Sequence, residues 1–294
     1  MEDDYAIGLY LGNTFSCIGV YRNGGVEIVP NSIGDKKTPS AVLFKDGRML
    51  VREYATVLEQ YPDMSIRQVK RLININNDDT DYKYICENFP FKLIERKGEY
   101  RFCDIEIYEK GEKKLYSPVE ITSFIIKRLV SDTEEYLQKR IKKIVMAVPA
   151  YFREEQKKMF IQSVELSGFF PIKIINEPTA AVLAYGLDKQ PNENRNILVF
   201  DLGGATYDIS ILSYEHQQIN ILSTSVDYRL GGENFDKALA DYIINGEYNL
   251  NELLKSREIK NDIKLACENV KKILSVSEET ILRLLLSDKK YFYQ

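Results

Sequence analysis

Two glycine-bearing bends carry the residues best suited to chemistry in this sequence. The first is Leu11-Gly12-Asn13-Thr14, between the apolar run Ala6-Ile7-Gly8-Leu9-Tyr10-Leu11 and an alternating stretch over 14–21. The second is Asp201-Leu202-Gly203-Gly204, between a strand-like run over 196–200 and an alternating stretch over 206–212. A glycine corner between strands lets the backbone approach a ligand closely and aim consecutive N–H groups at it, which suits phosphate oxygens. One such corner ends many strands, whereas two related corners can clamp a polyphosphate from both sides. The chain has neither G-x-x-x-x-G-K-[ST] nor G-x-G-x-x-G, so a P-loop and a Rossmann phosphate site are both excluded. Asp201 and Asp208 flank the second corner, and a magnesium ion takes a few carboxylates together with waters and phosphate oxygens. The same two aspartates would serve equally well as turn caps, and the pattern alone does not choose.

The elements around the corners repeat. Asn23-Gly24-Gly25 is a hairpin signal leading into a third strand over 26–29, and a polar turn after the second copy leads into a strand over 219–226. Gly12 and Gly203 stand 191 positions apart, each heading the same order of strand, corner, strand, strand. A duplication of this kind predicts two similar lobes facing each other across a cleft, over 1–190 and 191–294. Between the copies the pattern changes. Ser117-Pro118-Val119-Glu120 is a capping box with proline at the first helical position, and Ile121, Phe124, Ile125 and Leu129 follow at helical spacing. A strand over 144–148 ends at Pro149. A helix over 153–167 follows, with a Glu154–Lys158 pair one turn apart and Gly168 as its stop. A strand over 172–175 precedes a helix started by Pro178. Strands alternating with helices predict an α/β protein, its sheet mixed or parallel and flanked by helices. Residues 40–116 read as an insertion with its own hairpins, such as 101–108 against 113–116.

Composition narrows the function classes. The chain has 294 residues, 44% hydrophobic and 29% charged, which are globular proportions. Forty Lys+Arg against 44 Asp+Glu give a net charge of −4, too balanced for a nucleic-acid binder relying on a basic surface. Met1-Glu2-Asp3-Asp4 is acidic where a secretory signal is basic, and no apolar run approaches the roughly 18 residues of a membrane span. A soluble chain in the cytoplasm, with no membrane or nucleic-acid partner, is expected. Cys17, Cys86, Cys103 and Cys267 form no CxxC pair, and His216, the only histidine, sits in a polar turn. Free thiols in a reducing compartment and a surface histidine are the expectation, which disfavours a zinc site or a histidine-dependent triad.

The residues 8–21, Val148-Pro149-Ala150-Tyr151-Phe152, Ile174-Ile175-Asn176-Glu177-Pro178-Thr179-Ala180-Ala181, Ala184-Tyr185-Gly186-Leu187-Asp188-Lys189, 201–208 and Leu230-Gly231-Gly232-Glu233-Asn234-Phe235-Asp236 resemble the ATPase domain of the 70-kDa heat-shock chaperones. Actin and the sugar kinases share the two corners but not these strings. The resemblance implies an actin-like ATPase fold, two lobes each with a mixed sheet flanked by helices, around a cleft for ATP or ADP with Mg²⁺. It implies Gly12, Asn13 and Thr14 at the first phosphate corner and Gly203, Gly204, Ala205 and Thr206 at the second, with Thr206 on the terminal phosphate. Lys70 falls at the family's catalytic lysine, a cation that offsets charge on the transferring phosphoryl group. Taken by itself, Lys70 reads as a solvated lysine. Glu177 is implied to position the attacking water; alone it reads as a favourable carboxylate at a helix N-terminus. Asp201 and Asp208 would hold the hydrated metal and the water. Gly231 and Gly232 precede a helix, so their N–H groups would meet the nucleotide. Farther on, Glu268, Lys271, Lys272 and Ser275 form a polar face beside an apolar stripe of Ile259, Ile263, Ala266, Val270 and Ile273. Such a face is ordinarily solvated. The resemblance implies that it holds adenosine, with Lys272 in place of an arginine whose planar group stacks on the base.

Departures from the pattern carry equal weight. The family opens Asp-Leu-Gly-Thr-Thr, and this chain reads Tyr10-Leu11-Gly12-Asn13-Thr14. The missing carboxylate is one that holds water on magnesium, and a phenol is neutral near pH 7 and bulkier. Losing one electrostatic contact of this kind costs about 2.7–4 kcal/mol, so weak or absent hydrolysis is expected with nucleotide binding surviving. Ala205 replaces a glycine, which predicts strain if that corner needs positive φ. The family continues past the strands expected over 281–286 and 291–293 into the rest of the second lobe and a peptide-binding domain. An incomplete second lobe predicts an unpaired sheet edge and exposed apolar surface. Two other functions fit the residues: an active Mg-ATP-hydrolysing chaperone ATPase, and a non-enzymatic interaction or regulatory protein that retains the fold. The implied partners are adenine nucleotide and co-chaperones such as J-domain proteins or nucleotide exchange factors.

Overall fold

The computed structural model describes residues 5–51, 61, 64–75, 79–89, 91–96, 103–109, 111–186, 194–245, 257–286 and 289–293. Strand β1 (Tyr5–Leu11) alternates strictly, with Ile7, Leu9 and Leu11 at most 2% exposed and Tyr10 on the opposite face. It runs antiparallel to β2 (Phe15–Arg22), which returns against β3 (Gly25–Ile28). A short β4 (Thr38–Pro39) pairs with β2 beside the corner. The following segment forms a small sheet from β5 (Ala41–Lys45), β6 (Arg48–Val51) and β7 (Ser65–Arg67), ordered β6-β5-β7. A single 3₁₀ turn over Val69–Leu72 and helix α1 (Thr80–Asn88) come next. A second three-stranded sheet holds β8 (Lys92–Glu95), β9 (Cys103–Glu109) and β10 (Glu112–Tyr116). Val42, Phe44, Ile66, Cys103, Ile105 and Ile107 join the same continuous core as β1, and the opposite face of β5 adds a small cluster of Ala41 and Leu43 with Leu50 and Tyr61.

Helix α2 (Pro118–Leu137) begins as expected. The Ser117 hydroxyl accepts from the Glu120 amide at 3.2 Å, and the Ser117 amide donates to the Glu120 carboxylate at 2.7 Å. Strands β11 (Ile141–Val148) and β12 (Phe170–Asn176) add to β1 in parallel, giving the order β12-β11-β1-β2-β3. Helix α3 (Glu154–Leu166) crosses between them and stops at Gly168, whose φ of +92° is open to glycine. The pair expected between Glu154 and Lys158 is instead Glu154–Lys157 at 2.8 Å, three residues apart rather than four. Phe160 and Val164 of α3, with Ile121 and Ile125 of α2, are fully buried in the core beneath the sheet.

Helix α4 (Glu177–Ala184) follows β12 directly. The second copy of the meander is β13 (Arg195–Leu202), β14 (Tyr207–Glu215) and β15 (Gln218–Asp227), in that order in one sheet. His216 and Gln217, with φ of 51° and 63°, make its tight outer turn, and His216 is exposed as expected. Alternation on β13 leaves Leu198 at 61%, Phe200 at 63% and Leu202 at 44% exposure on one face. Helices α5 (Gly232–Asn245) and α6 (Arg257–Leu274) pack around Ala240, Ile243, Ile263, Cys267, Val270 and Leu282, beside the hairpin of β16 (Leu282–Leu286) and β17 (Lys289–Tyr293). The residues group into two compact units: Met1–Asp201 with Asp208–Asp227, and Leu202–Tyr207 with Tyr228–Gln294.

Candidate nucleotide site

Each corner is closed by the same hydrogen bond. Gly12 donates its N–H to the Phe15 carbonyl at 3.1 Å, and Gly203 donates to the Thr206 carbonyl at 2.9 Å. A Cβ on Gly12 would stand 2.5 Å from that carbonyl oxygen, and one on Gly203 would stand 3.2 Å from its counterpart. Glycine is therefore required at Gly12 by close approach within the turn, and at Gly203 a Cβ would make a tight contact with the same carbonyl position. The recurrence at the 191-residue offset matches the duplication read from the sequence.

In the first unit Tyr10 leans over this bend. Its Cε1 and Oη lie 3.0 and 3.2 Å from where a Gly12 Cβ would sit. Two polar atoms of the corner, Asn13 Oδ1 and Thr14 Oγ1, are buried with no hydrogen-bond partner. An unsatisfied buried polar group costs roughly 1–3 kcal/mol, which a polar ligand at the bend would recover. Ser40 braces the turn by donating its amide to the Thr14 carbonyl at 2.9 Å.

Lys70, on the 3₁₀ turn, is 5% exposed and not solvated. Its Nζ lies 2.5 Å from Glu177 Oε1 at the first residue of α4 and 5.5 Å from the centre of the Tyr10 ring. Burial pushes the Tyr10 phenol well above its ordinary pKa, and the charges of Glu177, Asp201, Cys17 and Asp208 push it further. Tyr10 keeps 38% of its surface exposed, so the desolvation acts on the part of the side chain folded over the bend. The phenol is uncharged at neutral pH. Glu177, Asp201 and Asp208 also line one cavity of about 480 Å³, whose other walls include Pro149, Tyr151 and Val199. The structure thus sets Lys70 beside Glu177 and Tyr10, and puts Glu177, Asp201 and Asp208 on the walls of one cavity. Among the described residues no three carboxylate, histidine or cysteine groups converge on a metal position. Two carboxylates with waters and phosphate oxygens nevertheless make a magnesium donor set, and Asp201 and Asp208 fit it.

In the second unit the bend packs on the start of α5. Gly232 donates its amide to the Gly203 carbonyl at 3.0 Å, and Glu233 donates to that of Gly204 at 2.8 Å. The Gly232 N–H, expected to meet a ligand, is thus taken by the chain itself. A Cβ on Gly231 would stand 2.7 Å from the carbonyl carbon and oxygen of Gly204 and from the Ala205 nitrogen. Ala205 is 4% exposed, and its backbone lies outside the left-handed region, so the strain expected there is not present. Thr206 is buried at 7%. On α6, Lys271 pairs with Asp236 at 2.7 Å and donates to the Gly232 carbonyl at 2.9 Å. Lys272 pairs with Glu268 at 2.7 Å, and the Ser275 hydroxyl donates to the Lys271 carbonyl at 3.0 Å. Sequence reasoning missed Asp236. Its carboxyl is 3% exposed and is raised above its ordinary pKa by burial in spite of Lys271, which sits 35 positions away with no local spacing to signal the pair.

A mixed α/β chain in which a strand–glycine corner–strand meander occurs twice has an actin-like ATPase fold. The family model described as Hsp70 protein matches residues 6–288. The chain is 36% identical over 282 residues to heat shock 70 kDa protein 2 of Paracoccidioides lutzii, and equally so to heat shock 70 kDa protein of Neurospora crassa. Each match covers 95% of this chain and 43% of the relative. Heat shock 70 kDa protein II of Paracentrotus lividus is 36% identical over 286 residues, covering 95% of this chain and 75% of the relative. The chain belongs to the Hsp70 family, and it spans less than half the length of the two fungal relatives.

Proposed function

We propose that this chain is the nucleotide-binding module of a 70-kDa heat-shock-type chaperone, with lobes over 1–190 and 191–294. Its corners at Gly12–Asn13–Thr14 and Gly203–Gly204–Ala205–Thr206 hold the phosphates of an adenine nucleotide, and Glu268, Lys271, Lys272 and Ser275 take the adenosine end. Lys70 offsets phosphoryl charge and Glu177 orients the attacking water. Asp201 and Asp208 would hold Mg²⁺, which when bound would screen charge on the phosphates. Tyr10 carries the reading that hydrolysis is impaired: an uncharged phenol leans over Gly12 where the family has a carboxylate. Family membership supports adenine nucleotide as ligand and co-chaperones of the J-domain or exchange-factor kind as partners. A cytoplasmic location belongs to the same reading. Among the described residues no helix is long and apolar enough to cross a membrane.

The intact Lys70–Glu177 pair favours a second reading, an active ATPase in which Asp201 and Asp208 suffice for the metal. Calorimetry with Mg-ATP and with ATP plus chelator, combined with single-turnover phosphate release, separates the two. Binding that is indifferent to metal, with slow release, is expected for the impaired module. Metal-dependent binding with release at a rate typical of the family overturns it.

A further inference from the structure

Two aromatic rings flank the first bend on one face of the sheet, and each has an ammonium group beside it. Tyr10 on β1 stands opposite Cys17 on β2, and Phe15 lies two residues before Cys17, so all three share that face. Lys70 Nζ lies 5.5 Å from the centre of the Tyr10 ring, and Lys37 Nζ lies 5.5 Å from the centre of the Phe15 ring. The Phe15 carbonyl is the acceptor that closes the Gly12 bend. The two lysines differ in how their charge is met. Lys70 is buried against Glu177, whereas Lys37 is exposed and among the described residues no carboxylate pairs with it. The Lys37 backbone is nonetheless fixed. Buried Asn31 donates from Nδ2 to the Lys37 carbonyl at 3.3 Å, and its Oδ1 accepts from the Ile33 and Asp35 amides at 3.1 and 3.0 Å. Three residues beyond Lys37, the Ser40 amide holds the Thr14 carbonyl, and the Ser40 and Ser16 hydroxyls meet at 2.7 Å. The loop that carries Lys37 is thus anchored beside the bend.

From this arrangement we infer that Lys37 is a phosphate-binding residue of the first corner, and that the corner holds a nucleotide's polyphosphate tail without the help of a divalent ion. The inference rests on the reading of Gly12, Asn13 and Thr14 as a phosphate corner. A divalent ion on a polyphosphate neutralises charge that the protein must otherwise meet with cations of its own. Tyr10 brings no negative charge to the bend, so nothing on this face of β1 draws such an ion there. An ammonium meets the charge directly, by donating to a phosphate oxygen. Lys37 is the ammonium placed to do so, because the charge of Lys70 is already balanced by Glu177. The Lys37 stem is long and flexible, and the ring contact it would give up is weak at an exposed site. Burial pushes the Cys17 thiol up and the Lys37 charge draws it back, so that charge is felt on the face that carries Tyr10. The Thr14 hydroxyl, whose oxygen is buried without a hydrogen-bond partner, offers a donor at the same bend for a second phosphate oxygen.

The test titrates the full chain with ATP and with inorganic tripolyphosphate by calorimetry, first in excess chelator and then in excess magnesium. In chelator, Lys37→Met should weaken both ligands about tenfold, the low end for a charge-assisted hydrogen bond because Lys37 is exposed. Lys37→Arg, which keeps a cation and its donors, should restore most of the loss. Lys36→Met removes the neighbouring exposed charge and should change affinity by less than about twofold. Magnesium should narrow the gap between Lys37→Met and the native chain, since the ion then carries the neutralisation. The ligand-free melting temperature of each variant should match that of the native chain, which separates loss of a contact from loss of fold. Native-like affinity of Lys37→Met in chelator overturns the assignment, as does a loss that Lys36→Met shares in full or that Lys37→Arg fails to recover. A native chain that binds neither ATP nor tripolyphosphate removes the phosphate corner itself, and the role of Lys37 with it.

Discussion

Replacing Tyr10 with aspartate exchanges a neutral phenol for a carboxylate beside the first bend. The phenol titrates far above neutrality, because burial and three nearby carboxylates oppose its ionisation, so the exchange adds one full negative charge at pH 7. It also removes the ring whose Cε1 and Oη cover Gly12 at 3.0 and 3.2 Å from its Cβ position, clearing the corner for a phosphate. One preorganised electrostatic contact is worth about 2.7–4 kcal/mol in the transition state, or two to three decades of rate. Single-turnover phosphate release with Mg-ATP should therefore rise by roughly 100- to 1,000-fold in Tyr10→Asp. Without a divalent ion the added charge faces Glu177, Asp201 and Asp208, and the variant should melt below the native chain, recovering as magnesium is added. Tyr10→Phe keeps the ring and should leave the rate at the native level. A folded Tyr10→Asp chain that binds nucleotide but releases phosphate no faster than the native chain refutes the role given to Tyr10.

Other positions give independent checks. Gly231→Ala drives a Cβ to within 2.7 Å of the Gly204–Ala205 backbone and should cost about 1–3 kcal/mol in urea unfolding, whereas the same change at the open Gly25 should cost far less. Lys271→Met leaves the Asp236 carboxylate, 3% exposed, without its cation and should cost about 3 kcal/mol, near the low end for a broken buried pair because Lys271 reaches solvent. Asp236 also predicts a pH dependence. Its carboxyl is raised in the folded chain, so its contribution is fully present below the ordinary carboxyl pKa of 3.8 and is lost as pH rises through the raised value. The stability of the native chain relative to Asp236→Asn should therefore improve on acidification; a difference that stays flat across the acid range contradicts the raised carboxyl. Phe160→Ala empties a fully buried ring site under the parallel strands and should cost about 3–5 kcal/mol.

The fold was legible wherever local chemistry and global position agree. Ser117 and Glu120 announce α2 because both hydrogen bonds of the capping box lie within four residues, and the structure makes both. In β1 the two-sidedness of a strand puts Ile7, Leu9 and Leu11 in the core and Tyr10 on the other face, a division that the apolar run over 6–11 does not announce. The duplicated corner was legible because its closing hydrogen bond spans only three residues at each site. Lys70 was not legible from its surroundings. A lysine between Val69 and Arg71 carries no mark of burial, and its partner Glu177 lies 107 positions along the chain. A non-local ion pair leaves no period in either segment, and only resemblance pointed to it.

Gly231 and Gly232 mark where residue type alone misleads. Paired glycines before a helix read as N–H donors for an anion, because a helix start leaves amides without internal partners. Here the Gly232 and Glu233 amides meet that need with the carbonyls of Gly203 and Gly204, and Gly231 is required for a different reason, the 2.7 Å approach of the Gly204 backbone. Both uses demand the same small residue at the same place, so no inspection of composition or spacing separates them; only the position of the acceptor does. The same ambiguity runs through Lys271. An ammonium one helix face from a nucleotide and an ammonium neutralising a buried aspartate need the same side chain. The contacts to Asp236 and the Gly232 carbonyl place Lys271 in the scaffold that holds the Gly203 bend to α5. Any contact with a nucleotide would then compete with that scaffold, which makes nucleotide affinity and the stability of the second unit opposed functions of one residue.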